Sequence, residues 1–90
     1  MSLSQATIKS LNIDNAFGKV LKQTREKKGL SQEQLAFDSG LHRTYISLIE
    51  RGKRSPSLRT LERIVNALDL RLSVMIKDME NLAGEKHADS

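Results

Sequence analysis

Apolar residues recur three or four positions apart in two stretches of the chain, as they do on one face of an α-helix. The first stretch begins near Asp14 and stops at Gly29, a residue type that often follows the end of a helix. The second stretch follows Pro56, with Ser57 suited to cap its start. Each stretch therefore predicts an amphipathic helix. The apolar faces consist of Phe17, Val20, Leu21 and Thr24 in the first helix, and of Leu58, Leu61, Ile64, Val65 and Leu68 in the second.

Two shorter helices are predicted between these, separated by a tight turn at Gly40. Ser31 suits an N-cap, and Gln34 can return a hydrogen bond from the third helical position, as in a capping box. This predicts a helix from Gln32 to about Ser39, followed by another from about His42 to Arg51. Two short helices joined by a glycine-containing turn outline a helix-turn-helix.

The segment after the last of these helices fits two structures. Its apolar and polar residues alternate from 70 to 77, which matches a strand with one apolar face. A helical stripe runs through the same residues. We favour the strand because no N-cap residue precedes Leu70 in the right place, and a fifth helix is the alternative. The alternating apolar set is Leu70, Leu72, Val74 and Ile76, and the helical stripe is Leu72, Met75, Ile76 and Met79.

A lone strand in a helical chain has no partner for its backbone hydrogen-bonding groups. Pairing with the same strand of a second copy about a two-fold axis would satisfy them. A fifth helix would also present an apolar stripe to a second copy, so both structures predict a homodimer. The predicted segments are 1–13 (an arm or an extension of the first helix), 14–69 (the helix-turn-helix domain), 70–79 (the dimerisation segment) and 80–90 (a disordered polar tail).

The charge is positive and unevenly distributed. The chain of 90 residues, enough for one domain, carries a formal net charge of +4. Residues 14–54 hold nine basic and five acidic side chains, so this half has a surplus of four. A positive field of this kind attracts a polyanion such as double-stranded DNA. Only three aromatic residues are present, which argues against binding of single strands by base stacking.

Several other classes of protein are disfavoured by the composition. The chain has no cysteine, so it can form neither disulfides nor thiolate metal sites. It shows no paired carboxylates, metal-spaced cluster or phosphate-binding loop, so we expect no enzyme activity, cofactor or metal. No apolar run approaches the ~18 residues that span a bilayer, and the N-terminal segment lacks the apolar region of a secretory signal. We therefore expect a soluble cytoplasmic protein that does not contact a membrane.

The third helix offers the side chains best suited to read bases. At about 100° per residue, Ile46 and Ile49 share its core side. On the opposite arc, Arg43 can form two hydrogen bonds to a guanine, and Leu48 can meet a thymine methyl group. Leu48 can equally be a simple surface leucine. The predicted base-reading residues are Arg43, Thr44, Ser47 and Leu48.

A second group of residues is suited to contact the DNA backbone. Gln32 occupies the first position of its helix, where its amide can meet a phosphate. Tyr45 lies at the edge of the buried face, where its hydroxyl can reach a phosphate or the ring can simply be half-buried. Basic residues after the third helix extend the positive surface. The predicted phosphate contacts are Gln32, Tyr45, Arg51, Lys53, Arg54 and Ser57.

From Phe17 to about Leu70 the chain resembles the helix-turn-helix of phage repressors and Cro proteins, the XRE family. The residues that carry the resemblance are Gln32, Leu35, Ala36, Gly40, Ile46, Ser47, Ile49, Glu50, Gly52 and Pro56. The resemblance implies an all-α, lambda-repressor-like bundle of four helices that binds double-stranded DNA with its third helix in the major groove. It also implies an ion pair between Arg25 and Glu50.

Within this family the segment LHRTYISLIERGKRSPSL is similar to controller proteins of restriction-modification systems. A terminal strand after the fourth helix would be more similar to HipB-type antitoxins, whose strands pair across the dimer. We therefore expect a homodimeric transcriptional regulator, a repressor or autoregulator that binds a palindromic operator. The alternative is an antitoxin that binds a protein toxin as well as its own operator.

Overall fold

The computed structural model describes the backbone of residues 2–88 and the side chains of residues 13–82. Over this part of the chain the predicted all-α fold is confirmed, with five helices in sequence. The helices are α1 (Ser2–Lys27), α2 (Gln32–Ser39), α3 (Arg43–Glu50), α4 (Leu58–Ala67) and α5 (Leu72–Ala88). Among the described residues, none of these helices combines the length and apolar character needed to cross a membrane.

All five helices contribute to one hydrophobic core. The apolar faces predicted for the first and fourth helices supply much of it, because burial of those faces is what stabilises an amphipathic helix. Leu58 departs from the prediction: it is the first residue of α4 and its side chain is 76% exposed, beyond the edge of the core. The fully buried side chains include Leu21, Leu35, Ile46, Ile49, Ile64, Leu68 and Met75.

The ends of α2 show why this segment is a separate short helix. The Ser31 hydroxyl accepts a hydrogen bond from the Gln34 backbone N–H at 3.0 Å, as predicted for an N-cap. The reciprocal half of the capping box is wrong, because the Gln34 side-chain amide donates to Asp38 Oδ1 at 2.9 Å instead. At the other end Gly40 adopts a left-handed conformation with φ of 71°. This conformation ends the helix and turns the chain toward α3.

The strand predicted for residues 70–77 is wrong, and the alternative of a fifth helix is confirmed. Asp69, with φ of 56°, terminates α4, and the Leu70 N–H then bonds to Val65 O at 2.9 Å. Arg71 precedes α5, and its side chain has no acceptor that could cap the first turn, which is the feature that made a helix look unfavourable. Burial decides the outcome, because the helical spacing places Met75 fully inside the core. A helix also satisfies its own backbone hydrogen bonds, whereas a single strand cannot.

The change from strand to helix divides the predicted dimerisation residues. Leu70 and Leu72 are half-buried against the core of their own chain. Val74 and Ile76 are 42% and 38% exposed, respectively. These four residues therefore do not form one face, and the predicted pairing of strands between two copies is wrong.

Both ends of the chain continue as helix. α1 begins at Ser2, so the segment predicted as an arm or a helix extension is helical over residues 2–13. α5 runs to Ala88, so the backbone of residues 80–88 is helical where a disordered tail was predicted. Residues 1, 89 and 90, which the predicted terminal segments included, lie outside the described part of the chain.

Candidate nucleic-acid interface

The orientation of α3 is fixed by its buried face and by both of its ends. Ile46 and Ile49 are fully buried, so the opposite arc of the helix faces solvent. At the C-terminal end Gly52, with φ of 72°, allows the Lys53 N–H to return to Leu48 O at 2.9 Å. This hydrogen bond is the outer bond of a Schellman motif, which ends the helix and reverses the chain.

His42 caps the start of α3, a role that the sequence indicated only loosely as a residue at the helix start. Its ring Nδ1 accepts a hydrogen bond from the Thr44 backbone N–H at 3.3 Å. An acceptor here satisfies one of the N–H groups left free in the first helical turn. The start of the exposed arc is therefore held by an imidazole.

The four predicted base-reading residues lie on the exposed side of α3. Arg43 and Thr44 are exposed near its N-terminus, whereas Ser47 and Leu48 are half-buried one turn later. Leu48 is thus neither a core residue nor fully in solvent. A surface recess adjoins it, and the residues lining that recess are His42, Thr44, Tyr45, Leu48 and Arg54.

Of the predicted phosphate contacts around this arc, some are bound to neighbouring residues of the protein and others are exposed to solvent. Gln32 is half-buried, and its amide Nε2 donates to Glu50 Oε1 at 3.0 Å, which leaves its second amide N–H for another acceptor. The Ser57 hydroxyl caps α4 by accepting from the Thr60 backbone N–H at 3.1 Å. Tyr45 is half-buried, with the Arg54 guanidinium 5.1 Å from the centre of its ring. The exposed basic members of the group are Arg51, Lys53 and Arg54.

Arg25 of α1 and Glu50 of α3 form the ion pair that the resemblance implied. Arg25 Nε lies 2.6 Å from Glu50 Oε2 and Arg25 Nη2 lies 3.0 Å from Glu50 Oε1, so the pair is bidentate. A third donor, Nη1, bonds to Leu30 O at 2.8 Å. The two side chains are only 9% and 3% exposed. The hydrogen bond to Glu50 raises the pKa of Arg25 above its ordinary value, although burial alone would lower it.

Glu50 consequently joins three helices at one carboxylate. It accepts from Arg25 of α1 and from Gln32 at the start of α2, and it lies in the last turn of α3. Gln32, which was predicted to contact a phosphate, is therefore oriented by the same ion pair that holds α1 against α3. The link between Gln32 and Glu50 was not predicted from the sequence, because the two residues are separated by 18 positions.

Two further features attach α1 to the C-terminal end of α3 and to the segment that follows it. The Ser55 hydroxyl donates to Asp14 Oδ1 of α1. One helical turn later Gly18 packs against the carbonyl groups of Ile49 and Glu50. Among the residues that the structure describes, no group of histidine and acidic side chains is placed to hold a metal ion.

Comparison with known protein families identifies the fold. The helix-turn-helix family matches residues 21–75, which is more than half of the chain and includes α2, the turn and α3. The chain belongs to the XRE-type helix-turn-helix family. This match confirms the resemblance found in the sequence. Members of this family are DNA-binding regulators rather than enzymes.

Restriction-modification control proteins are prominent among the relatives of this helix-turn-helix chain. The control protein C.BamHI of Bacillus amyloliquefaciens is 53% identical over 58 residues, covering 63% of this chain and 72% of the relative. The crystal structure of the controller C.AhdI from Aeromonas hydrophila superposes with a TM-score of 0.68 at 44% identity, covering 69% of this chain and 94% of that one. Other relatives are phage repressors and transcriptional regulators, so the antitoxin alternative receives no support.

A third relative shares a short run of residue types with the start of α3. The wild-type controller C.Esp1396I superposes with a TM-score of 0.72 at 36% identity, covering 77% of this chain and 88% of that one. Three separate structures of that protein each carry one alanine substitution. The substituted residues are an arginine, a threonine and a tyrosine at three consecutive positions. Arg43, Thr44 and Tyr45 follow one another in the same order here.

Proposed function

We propose that this helix-turn-helix regulator acts as a homodimer that represses or autoregulates transcription from a palindromic operator in the cytoplasm, without a cofactor. Each copy would place α3 in a major groove, with half-sites roughly 34 Å apart along the DNA. The observation that carries the proposal is the arc of α3 opposite the buried Ile46 and Ile49, which is exposed or half-buried and rich in groups that pair with base edges.

Two sets of side chains would have different roles in DNA binding. The residues on the outer arc of α3 would select the sequence, because only contacts with base edges carry sequence information. The basic residues after α3 would neutralise phosphates and supply much of the affinity through counterion release.

Replacing Arg43 by alanine is expected to weaken binding to the selected operator by about 1–3 kcal/mol and to leave binding to random duplex DNA almost unchanged. The reason is that its two hydrogen bonds would be made to one base, and random DNA does not offer that base in register. Fluorescence anisotropy with both duplexes measures the two affinities. Equal losses on both would remove Arg43 from the base-reading group.

Replacing Lys53 by alanine is expected to produce the opposite pattern. Binding should weaken by similar factors on all sequences, and the slope of log affinity against log salt should become shallower by about one for each half-site. Lys77→Ala is the matched control, because it removes the same charge from an exposed position on α5. A loss confined to one base pair, or an equal change of slope in the control, would contradict the phosphate role.

The surface that joins two copies is proposed to be the groove between α4 and the start of α5, which takes the place of the predicted strand pairing. Leu58 is 76% exposed at one end of this groove, and Leu70 and Leu72 are only half-buried along it. Three arginines and one glutamate line this apolar strip, so a two-fold axis would have to place Glu62 of each copy beside an arginine of the other. The charged residues lining the groove are Arg59, Glu62, Arg63 and Arg71.

Two substitutions in α5 test this surface. Ile76 lies one turn after Leu72 on the side of α5 that faces the groove, whereas Val74 is rotated by about 160° from it. Both are exposed to a similar extent, at 38% and 42%. Ile76→Glu is therefore expected to shift the protein to monomers in analytical ultracentrifugation, whereas Val74→Glu is not. Equal dimer stability in both variants would place the interface elsewhere.

A further inference from the structure

The segment after α3 runs back beside the recognition helix. The hydrogen bond from Lys53 N–H to Leu48 O reverses the chain immediately after Gly52. As a result Arg54 lies beside Tyr45, although the two are nine positions apart in sequence. The two side chains share the surface recess that adjoins Leu48 and Thr44 on the exposed arc. The return of the chain thus adds a cation to the surface that would face DNA.

The guanidinium of Arg54 is held against an aromatic face rather than left free in solvent. Its central carbon lies 5.1 Å from the centre of the Tyr45 ring, within the range of a cation–π interaction. The ring itself is anchored, because Tyr45 is half-buried and packs against the hydrophobic core. The exposed cation therefore rests on a support whose position is fixed by the core.

We infer that Tyr45 is a positioning residue, whose ring holds the Arg54 guanidinium in place for a DNA phosphate at the edge of the recess. This inference rests on the proposed DNA-binding function and assigns the tyrosine a different role from the hydroxyl contact predicted above. A long arginine side chain loses conformational freedom when it binds a phosphate. Stacking on the ring restricts that freedom before DNA arrives and leaves the planar N–H groups free for two hydrogen bonds to phosphate oxygens.

The two roles of Tyr45 make different demands on its atoms. A direct contact from the hydroxyl requires the oxygen and needs the ring only as a spacer. Positioning of Arg54 requires the ring face and is indifferent to the oxygen, because phenylalanine also interacts with cations. The effect of the Tyr45 ring depends on Arg54 in the second case alone, because the ring then acts by holding the Arg54 guanidinium.

The experiment measures affinity for a duplex enriched from random DNA, using Tyr45→Phe, Tyr45→Leu, Arg54→Ala and the double variant Tyr45→Leu/Arg54→Ala. Leucine preserves an apolar side chain toward the core, and thermal unfolding checks that each variant is folded. We expect Tyr45→Phe to bind within about twofold of wild type. Tyr45→Leu should lose about two- to fivefold for each half-site, as expected for a lost cation–π contact. In the Arg54→Ala background, Tyr45→Leu should cost nothing further.

A merely structural tyrosine would behave differently, because its loss would weaken binding equally with and without Arg54. Two results would overturn the inference while leaving the proposed function intact. One is a loss in Tyr45→Phe as large as in Tyr45→Leu, which would assign the contact to the hydroxyl. The other is an undiminished effect of Tyr45→Leu in the Arg54→Ala background. Failure of the wild-type protein to bind any duplex would instead reject the proposed function itself.

Discussion

Removing the Arg25 side chain by substitution with methionine is expected to lower the free energy of unfolding by about 3–5 kcal/mol. The partner carboxylate of Glu50 is only 3% exposed and would remain buried without its cation. The carbonyl of Leu30 would also lose a hydrogen-bond donor. Small domains are stabilised by only about 5–15 kcal/mol in total, so this variant is expected to be partly unfolded at moderate temperature. Urea denaturation followed by circular dichroism measures the change.

The double variant Arg25→Met/Glu50→Leu separates the buried charge from the packing. Replacing a whole ion pair by apolar residues of similar volume is often neutral or stabilising. We therefore expect the double variant to recover most of the stability lost in Arg25→Met. If the losses of the single variants Arg25→Met and Glu50→Leu simply added in the double variant, the cost would lie in packing or in the hydrogen bond to Leu30. An unpaired carboxylate would then not be the cause.

The direction of the pKa shift of Arg25 determines how its contribution to the free energy of unfolding changes with pH. Because the folded protein raises this pKa, the arginine's contribution to stability is complete below the pH at which the unfolded chain loses the proton. It is lost only as the pH rises through the higher folded value. Arginine deprotonates far above neutral pH, so Arg25 itself adds no pH dependence to stability near neutrality.

Replacing Gly18 by alanine is expected to destabilise the fold by about 2–3 kcal/mol, even though alanine is intrinsically the better helix former by about 1 kcal/mol. A β-carbon at this position would lie 2.5 Å from Glu50 O and 2.6 Å from Ile49 O. Both atoms belong to the backbone of α3, so no side-chain rotation can relieve the overlap. α1 and α3 would have to separate, which would also disturb the nearby pair of Arg25 and Glu50.

Gly40→Ala is the control for this variant. It also replaces a glycine by alanine, but a β-carbon there would meet nothing within 4 Å, and the strain comes only from φ of 71°. We expect that strain to cost about 1–2 kcal/mol. DNA affinity should fall with stability in Gly18→Ala, because α3 itself moves. A Gly18→Ala variant as stable as wild type would contradict the close approach of the two helices.

Local signals in the sequence were sufficient to predict the helix-turn-helix. Ser31 and Gly40 mark the two ends of α2, and the structure gives that helix the predicted bounds, Gln32–Ser39. These features depend on neighbouring residues only, so they can be recognised from a short window. The arc of α3 that faces solvent likewise follows from the spacing of Ile46 and Ile49.

The end of the chain could not be predicted in the same way, because its apolar residues fit two periods. Alternation and helical spacing share Leu72 and Ile76, and they differ mainly at Val74 and Met75. Contact with the rest of the core favours the helix, since Met75 is completely buried and Val74 is not. That contact is made with residues distant in sequence. No local pattern could therefore have decided between them.

The connections that support the candidate DNA-binding surface are also long-range. Gln32 meets Glu50 across 18 positions, and Arg54 reaches Tyr45 only after the chain has reversed. Gly18 did leave a signal that could have been used. A glycine inside a clearly helical pattern is unfavourable unless another backbone approaches closely, and this is what the structure shows.

Selection of bound sequences from random double-stranded DNA with the purified protein tests the proposed function most directly. We expect enrichment of a two-fold symmetric motif whose half-sites are about one helical turn apart. The same selection with Arg43→Ala should lose preference at one base pair in each half-site. No enriched sequence, or a single asymmetric site bound by a monomer, would contradict a dimeric regulator that reads its operator with α3.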